Sequence, residues 1–174
     1  MPATREEKRG EKAWKECKIY RNVGGIIEFV IIFNCILWVW FPIPQLNWLV
    51  SENFLIGLII GIIMLIPCSI LLVKGIIDAG KETLSPSKET LLYKGIYKYI
   101  RHPQTLGEYP MFIAACFIIN SLFLVIWSTI FIIISVGITI HYEEKDLVKR
   151  FGDSYIEYKK NTGSLFPKFW KKKK

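Results

Sequence analysis

Two short clusters of reactive side chains stand out in this sequence. The first contains Arg101, His102 and Pro103, and the second is the acid pair Glu143 and Glu144. Imidazole and carboxylate groups can move protons near neutral pH, and a guanidinium can hold an anion. Proline suits the first position of a helix, where exposed backbone N–H groups also favour a carboxylate or phosphate. These residue types predict a site that binds a charged ligand and transfers protons.

Glu143 and Glu144 are neighbours on a predicted helix, so their side chains point to different faces. We therefore expect one acid to bind a cation and the other to pair with a lysine. Simpler explanations stay open at this point. Arg101 and His102 could anchor a helix at lipid headgroups, and the acid pair could be a solvated helix end that stops at Gly152.

Basic residues are confined to three segments that flank long apolar stretches. The 23 Lys and Arg residues lie within 1–23, 74–105 and 141–174, and none lies within 24–73 or 106–140. With 52% hydrophobic residues and a net charge of +8, this distribution argues against a disordered chain and against an ordinary soluble domain. It is typical of a membrane protein, in which Lys and Arg collect at the cytoplasmic ends of the spans.

Four stretches are apolar enough to cross a bilayer, which needs about 20 apolar residues per helix. They are 23–41, 54–73, 103–119 and 122–140, of which the third is the shortest. The predicted fold is all-α: a polytopic membrane helix bundle with about four transmembrane helices and a cytoplasmic C-terminal helical segment. Every basic flank then falls on one side, so both termini are predicted to be cytoplasmic.

The whole chain, 1–174, is predicted to be one integral membrane domain. Residues 1–22 form a cytoplasmic segment, 23–140 hold the spans and the cytoplasmic loop 74–105, and 141–174 form a second cytoplasmic segment with a basic tail. The placement of the basic residues predicts contact with anionic lipids, at about 1 kcal/mol each, and no binding of nucleic acid. The four cysteines lack the spacing of a zinc site.

Aromatic residues recur in the C-terminal segment, and Tyr155 and Tyr158 are among them. Tyrosine and tryptophan favour the boundary between membrane and water, because one end of the ring is polar and the rest is apolar. We therefore expect these side chains to lie at the membrane interface.

Two motifs resemble a known family. GIYKYIRHPQTLG, residues 95–107, is similar to the G-x-Y-x-x-x-R-H-P-x-Y-x-G signature of the isoprenylcysteine carboxyl methyltransferase and phospholipid methyltransferase superfamily. EEKDLVKRFGDSYIEYKKNTGSLFP, residues 143–167, resembles its closing motif E-E-x-x-L-x-x-x-F-G-x-x-Y-x-x-Y. Asn120 also matches an asparagine common between the last two spans of the family. The resemblance covers residues 90–167.

The resemblance implies an integral membrane methyltransferase that uses S-adenosyl-L-methionine and lacks a Rossmann domain. The cofactor contacts that it implies are Leu91, Leu92, Tyr97, His102, Pro103, Gln104 and Thr105. The first three would pack on the adenosine, and His102 with the helix start would hold the anionic methionine end of the cofactor.

The resemblance also implies the catalytic residues. Glu143 would face the reaction centre, and Glu143 or Glu144 would stabilise positive charge or take a proton from an amine or thiol. Arg101 would hold an anionic group of the acceptor, such as a lipid phosphate. The acceptor would be a lipid or another lipophilic molecule that enters from the bilayer, and no metal is implied.

Three positions depart from the family pattern. Thr105 stands in place of a tyrosine, Glu89 in place of a histidine, and Thr139 in place of an arginine that the prenylcysteine enzymes use for substrate. The last change argues against a prenylcysteine carboxylate as the acceptor. Two alternatives to a methyltransferase stay open: an NADPH-dependent membrane reductase, since sterol reductases carry a similar C-terminal region, and an inactive membrane scaffold of the same fold.

Overall fold

A computed structural model describes residues 2–16, 19, 32–33, 35–83 and 94–168. The described residues form helices, turns and two isolated β-bridges. The α-helices are α1 (Pro2–Arg9), α2 (Phe54–Ala79), α3 (Pro103–Ile118), α4 (Leu122–Phe151) and α5 (Asp153–Asn161). Residues 12–16 and 35–40 are also helical, and short 3-10 turns lie at Pro44–Leu46, Gly80–Thr83 and Gly95–Lys98.

Helices α2 and α4 are long and apolar enough to cross a bilayer, with 26 and 30 residues. Large apolar side chains on both face outward: Ile63 is 65% exposed and Ile133 is 67% exposed. A core helix of a soluble protein would bury such side chains, so their exposure favours a lipid environment. The predicted second and fourth spans therefore coincide with helices of the required length.

The structure supports the other two predicted spans, 103–119 and 23–41, less fully. Helix α3 has 16 residues, which makes it about 24 Å long against a hydrocarbon core of about 30 Å. Most of the predicted first span, including Glu28 and Asn34, lies outside the described residues, although residues 35–40 are helical. A bundle of four transmembrane helices therefore stays a prediction.

Both long helices continue beyond the predicted ends of their spans, which were Val73 and Ile140. They end instead at Ala79 and Phe151, each followed by a glycine with a φ near 55°. Hydropathy marks only where polar residues begin, whereas a helix continues until a residue adopts a conformation that ends its hydrogen bonding. The continuation of α4 carries Glu143 and Glu144 on a rigid helix.

Helices α2 and α3 approach each other closely through glycines. A Cβ atom at Gly61 would lie 2.7 Å from the carbonyl oxygen of Ala114, and one at Gly107 would lie 2.5 Å from the backbone nitrogen of Leu72. Gly57 and Gly61 have the G-x-x-x-G spacing of membrane helix contacts. In lipid, burial of apolar surface gives little drive for association, so close backbone packing becomes the main source of stability.

We expect Gly107→Ala to destabilise the fold by about 1–3 kcal/mol, because backbone atoms of Leu72 occupy the space of the new methyl group. Gly137→Ala in α4 is the matched control, since a Cβ there meets no described atom within 4 Å. Alanine is the better helix former, so the control should melt at the same or a higher temperature. Thermal unfolding in detergent compares the variants, and equal melting of Gly107→Ala and wild type would contradict the packing argument.

Asn120 fastens the turn between α3 and α4 to the loop before α2. Its φ is 60°, a left-handed conformation that asparagine tolerates better than most residues. Its side chain accepts a hydrogen bond from the Ser51 nitrogen at 3.2 Å and donates one to the Ser51 carbonyl oxygen at 2.8 Å. The backbone nitrogen of Leu122 donates to the carbonyl of Trp48 at 2.8 Å. These loops therefore lie at one end of the bundle, and residues 101–102 lie at the other.

Candidate functional site

Arg101 and His102 lie immediately before α3. The backbone nitrogen of Arg101 donates to the carbonyl of Gly163 at 2.9 Å, and that of His102 donates to the carbonyl of Ser164 at 3.1 Å. The segment that follows α5 therefore holds this backbone in position. Pro103 occupies the start of α3, as predicted.

Arg101 and His102 meet Glu143 and Glu144 at one end of the bundle. The guanidinium of Arg101 donates to Oε1 of Glu144 from Nε at 2.9 Å and from Nη2 at 2.6 Å. The Nδ1 atom of His102 lies 3.2 Å from Oε2 of Glu143, and its Nε2 atom lies 3.3 Å from Oε1 of Glu144. The hairpin of α3 and α4 thus returns the chain to the end that it left.

The two acids have different surroundings, although both contact His102. The Glu144 side chain is 9% exposed and accepts a hydrogen bond from Lys159 Nζ at 2.6 Å, whereas that of Glu143 is 29% exposed. The sequence predicted that one acid binds a cation and the other pairs with a lysine. Glu144 does pair with Lys159, but His102 lies between the two acids and contacts both. We name Arg101, His102, Glu143, Glu144 and Lys159 the polar cluster.

The Arg101 guanidinium is surrounded by hydrogen-bond acceptors of the protein itself. Besides Glu144, its Nη1 atom donates to the carbonyl oxygens of Lys159, at 3.2 Å, and Thr162. Its side chain is 6% exposed. Arg101 therefore joins α4, α5 and the segment before α3, and its role in holding an anionic acceptor stays a prediction.

The pKa of His102 is shifted by its neighbours. Burial alone would lower this pKa, but the hydrogen bonds and charges of Glu143 and Glu144 outweigh burial and raise it from 6.5 to about 9. The imidazole is therefore protonated at neutral pH, and both ring N–H groups donate to the acids. A protonated histidine cannot act as a base, which leaves the partly exposed Glu143 as the better candidate for that role.

We expect stability to decrease with rising pH because of His102. Its pKa is higher in the folded chain than the ordinary value of 6.5, so its stabilising effect is complete below pH 6.5 and is lost as pH rises through about 9. Melting temperatures measured across this range should fall in wild type and change less in His102→Gln. His141→Gln, at an exposed position, is the control and should retain the wild-type slope. The same slope in His102→Gln would contradict the assignment.

The predicted cofactor contacts lie around the start of α3. The side chain of His102, which precedes this helix, does not cap the first turn, and backbone N–H groups near Gln104 and Thr105 point out of the helix start. Such groups favour an anion. Thr105 is partly exposed in this turn. Leu91 and Leu92 lie outside the described residues.

Tyr97 and Gln104 contact the end of α2. The Tyr97 hydroxyl donates to the Gly75 carbonyl at 3.3 Å, and the Gln104 amide donates to the same carbonyl at 3.2 Å and to Thr83 Oγ1 at 3.1 Å. The extension of α2 therefore forms one wall beside the start of α3. The predicted contacts of both residues with a cofactor stay predictions.

The sequence did not single out Lys159 as a site residue, and it predicted Tyr155 at the membrane interface. Tyr155 is 1% exposed, so its side chain packs within the protein and faces neither lipid nor water. Tyr155 and Lys159 are four residues apart and share a face of α5. This spacing was the signal in the sequence that could have grouped the two residues. Spacing alone does not show that their face of α5 turns toward Glu144.

The sequence of this chain matches a known protein family. A sequence model of the phospholipid methyltransferase family matches residues 56–154, which is more than half of the 174-residue chain. The match includes the start of α3 and both acids of the polar cluster. With the two long apolar helices, it shows a membrane protein.

Three relatives have similar sequences. A methanethiol S-methyltransferase of Pseudomonas deceptionensis is 28% identical over 82% of this chain, and one of Pseudomonas sp. (strain GM41(2012)) is 29% identical over 82%. A methanethiol S-methyltransferase 1 of Bradyrhizobium diazoefficiens is 36% identical over 51% of this chain. The matched regions cover 57%, 58% and 29% of these relatives' lengths, respectively. By its family match, the chain belongs to the phospholipid methyltransferase family of membrane proteins.

Proposed function

We propose that this chain is an S-adenosylmethionine-dependent methyltransferase whose acceptor is a small lipophilic thiol. The observation that carries the proposal is the partly exposed carboxylate of Glu143, which lies beside His102 at the start of α3. The family match supports methyl transfer, and the names of the three relatives support a thiol acceptor.

The residues at this end of the bundle fit the charges of the methyl donor. S-adenosylmethionine, when bound, supplies a methyl group already activated on a positively charged sulfur. The backbone N–H groups at the start of α3, near Gln104 and Thr105, suit its carboxylate. The carboxylate of Glu143 suits a positive group. Packing of Leu91, Leu92 and Tyr97 on the adenosine remains part of the proposal.

The polar cluster contains a carboxylate that can take the proton of the acceptor. A thiol reacts as the thiolate, so its S–H proton must leave. Glu143 is the more exposed of the two acids, which supports its role as the group that takes that proton. His102 donates to both acids and orients the Glu143 carboxylate. Arg101 acts through Glu144, as a positioning residue.

The environment of Arg101 supports an acceptor without a phosphate group. Its guanidinium already binds Glu144 and two carbonyl oxygens, and its side chain is 6% exposed. To hold a lipid phosphate it would have to leave these partners. A neutral thiol requires no such anion site.

We also propose a multi-pass topology with both termini in the cytoplasm. Glu7 in α1 contacts Lys149 at 2.5 Å, and the Arg150 guanidinium lies 5.1 Å from the Trp14 ring centroid. The N-terminal segment thus packs beside the end of α4 that carries the acids, and this arrangement supports one common side for the basic segments. The acceptor would reach the site sideways from the bilayer.

Methyl transfer assays with purified protein in detergent test the proposal. The protein receives labelled S-adenosylmethionine with methanethiol, with an ethanolamine phospholipid, or with no acceptor. We expect labelled dimethyl sulfide in the headspace and no labelled lipid. Labelled phospholipid would contradict the thiol acceptor. Calorimetry separates the remaining alternatives, because binding of NADPH alone would indicate a reductase and binding of neither cofactor would indicate a scaffold.

A further inference from the structure

The Tyr155 hydroxyl is buried without a hydrogen-bond partner among the described residues. The side chain is 1% exposed, so bulk water does not compensate for the missing bond. Buried polar groups in folded proteins are nearly always paired, and an unpaired one lowers stability. The hydroxyl therefore points to a partner that the described residues do not supply.

Tyr155 lies beside the polar cluster. It shares a face of α5 with Lys159, whose Nζ atom lies 2.6 Å from Oε2 of Glu144. Its ring packs edge-on against the ring of Tyr158, with centroids 5.9 Å apart. The position of the hydroxyl is therefore set by packing, next to the residues to which the proposed function assigns the chemistry.

The neighbouring tyrosine of α5, Tyr158, is held by a hydrogen bond. The hydroxyl of Tyr158 donates to the carbonyl oxygen of Tyr97, which is one of the predicted cofactor contacts. The two tyrosines of α5 thus differ in one respect. Tyr158 uses its hydroxyl to join α5 to the rest of the protein, and Tyr155 holds a hydroxyl that makes no such bond.

The chemistry of the hydroxyl selects its partner. Burial raises the pKa of Tyr155, so the group stays protonated and can donate a hydrogen bond. A thiol offers only a weakly accepting sulfur. The methyl donor offers carboxylate and ribose oxygens, which are strong acceptors.

We propose that the Tyr155 hydroxyl donates a hydrogen bond to an oxygen of bound S-adenosylmethionine and is a binding residue for the methyl donor. This inference rests on the proposed function. It adds a residue of α5 to a site that the family resemblance assigned to residues 91–105 and to Glu143. It also accounts for a polar atom in a buried position where phenylalanine would fit.

Tyr155→Phe tests this role by removing the hydroxyl alone. Titration calorimetry with S-adenosylhomocysteine should give a Kd about tenfold weaker than that of wild type, the effect of losing one hydrogen bond to an oxygen acceptor. Without ligand, the variant should melt at the wild-type temperature or above it, because no bond within the protein is lost. Tyr158→Phe is the matched control and should melt at a lower temperature, because it loses its bond to Tyr97.

Two results would overturn the inference while the proposed function stands. One is wild-type affinity for S-adenosylhomocysteine in Tyr155→Phe. The other is a lower melting temperature of ligand-free Tyr155→Phe, which would mean that the hydroxyl already bonds to an ordered water or to the protein. If wild-type protein itself fails to bind S-adenosylhomocysteine, the proposed function fails and this inference fails with it.

Discussion

Replacing Glu144 by alanine is expected to give the largest loss of stability within the polar cluster, about 3–5 kcal/mol. The change removes the carboxylate that binds Arg101, His102 and Lys159. Arg101 would keep a buried positive charge without its carboxylate partner, since its side chain is 6% exposed. A buried charge that loses its partner destabilises a protein far more than a broken surface pair does.

Lys159→Ala is the matched control for Glu144→Ala. It removes a partner of the same carboxylate, but the lysine side chain is 48% exposed and water can replace it. We expect its effect to be about 1 kcal/mol or less. Thermal unfolding in detergent measures both variants. If they melt together, burial of the Arg101–Glu144 pair does not contribute as we argue.

Glu143→Gln is expected to reduce kcat for thiol methylation by about 100-fold or more while leaving the fold intact. The amide keeps the shape of the side chain and a hydrogen-bonding oxygen for His102, but it cannot take a proton. The side chain is 29% exposed, so its replacement should lower the melting temperature far less than Glu144→Ala does. This prediction depends on the proposed function.

Initial rates over a range of thiol concentrations, together with calorimetry of S-adenosylhomocysteine, measure the effect of Glu143→Gln. Cofactor affinity close to that of wild type would show that the loss occurs in the reaction and not in binding. Glu157→Gln, at an exposed position on α5, serves as the control and should keep wild-type turnover. Full turnover in Glu143→Gln with normal cofactor binding would refute the role of this acid.

Features that depend only on residues close together in the sequence were predictable. Helix α3 begins at Pro103 and α4 ends before Gly152, as the local preferences of proline and glycine indicate. The predicted spans 54–73 and 122–140 lie within long apolar helices. The motifs at residues 95–107 and 143–167 also identified the family correctly. Each of these signals is contained in a short stretch of chain.

In the predicted topology, the spans 103–119 and 122–140 form a hairpin that returns the chain to its starting end, so Arg101 and His102 can meet the acid pair. The sequence could not predict which of these side chains would form hydrogen bonds or ion pairs with each other. The structure shows that His102 inserts between Glu143 and Glu144, and that Glu144 takes Arg101 and Lys159 as further partners. Such choices depend on distances between segments far apart in the chain.

Burial was the other property that only tertiary structure decided. The interfacial preference of aromatic residues predicted that Tyr155 lies at the membrane boundary, and the structure shows that packing of α5 beside the polar cluster leaves it 1% exposed. The sequence by itself determined the helices, the position of their ends and the residue types available for chemistry, because these follow from local conformational preference and polarity. Which carboxylate is buried and which stays accessible was decided by the packing of α4 against α5 and the segment before α3.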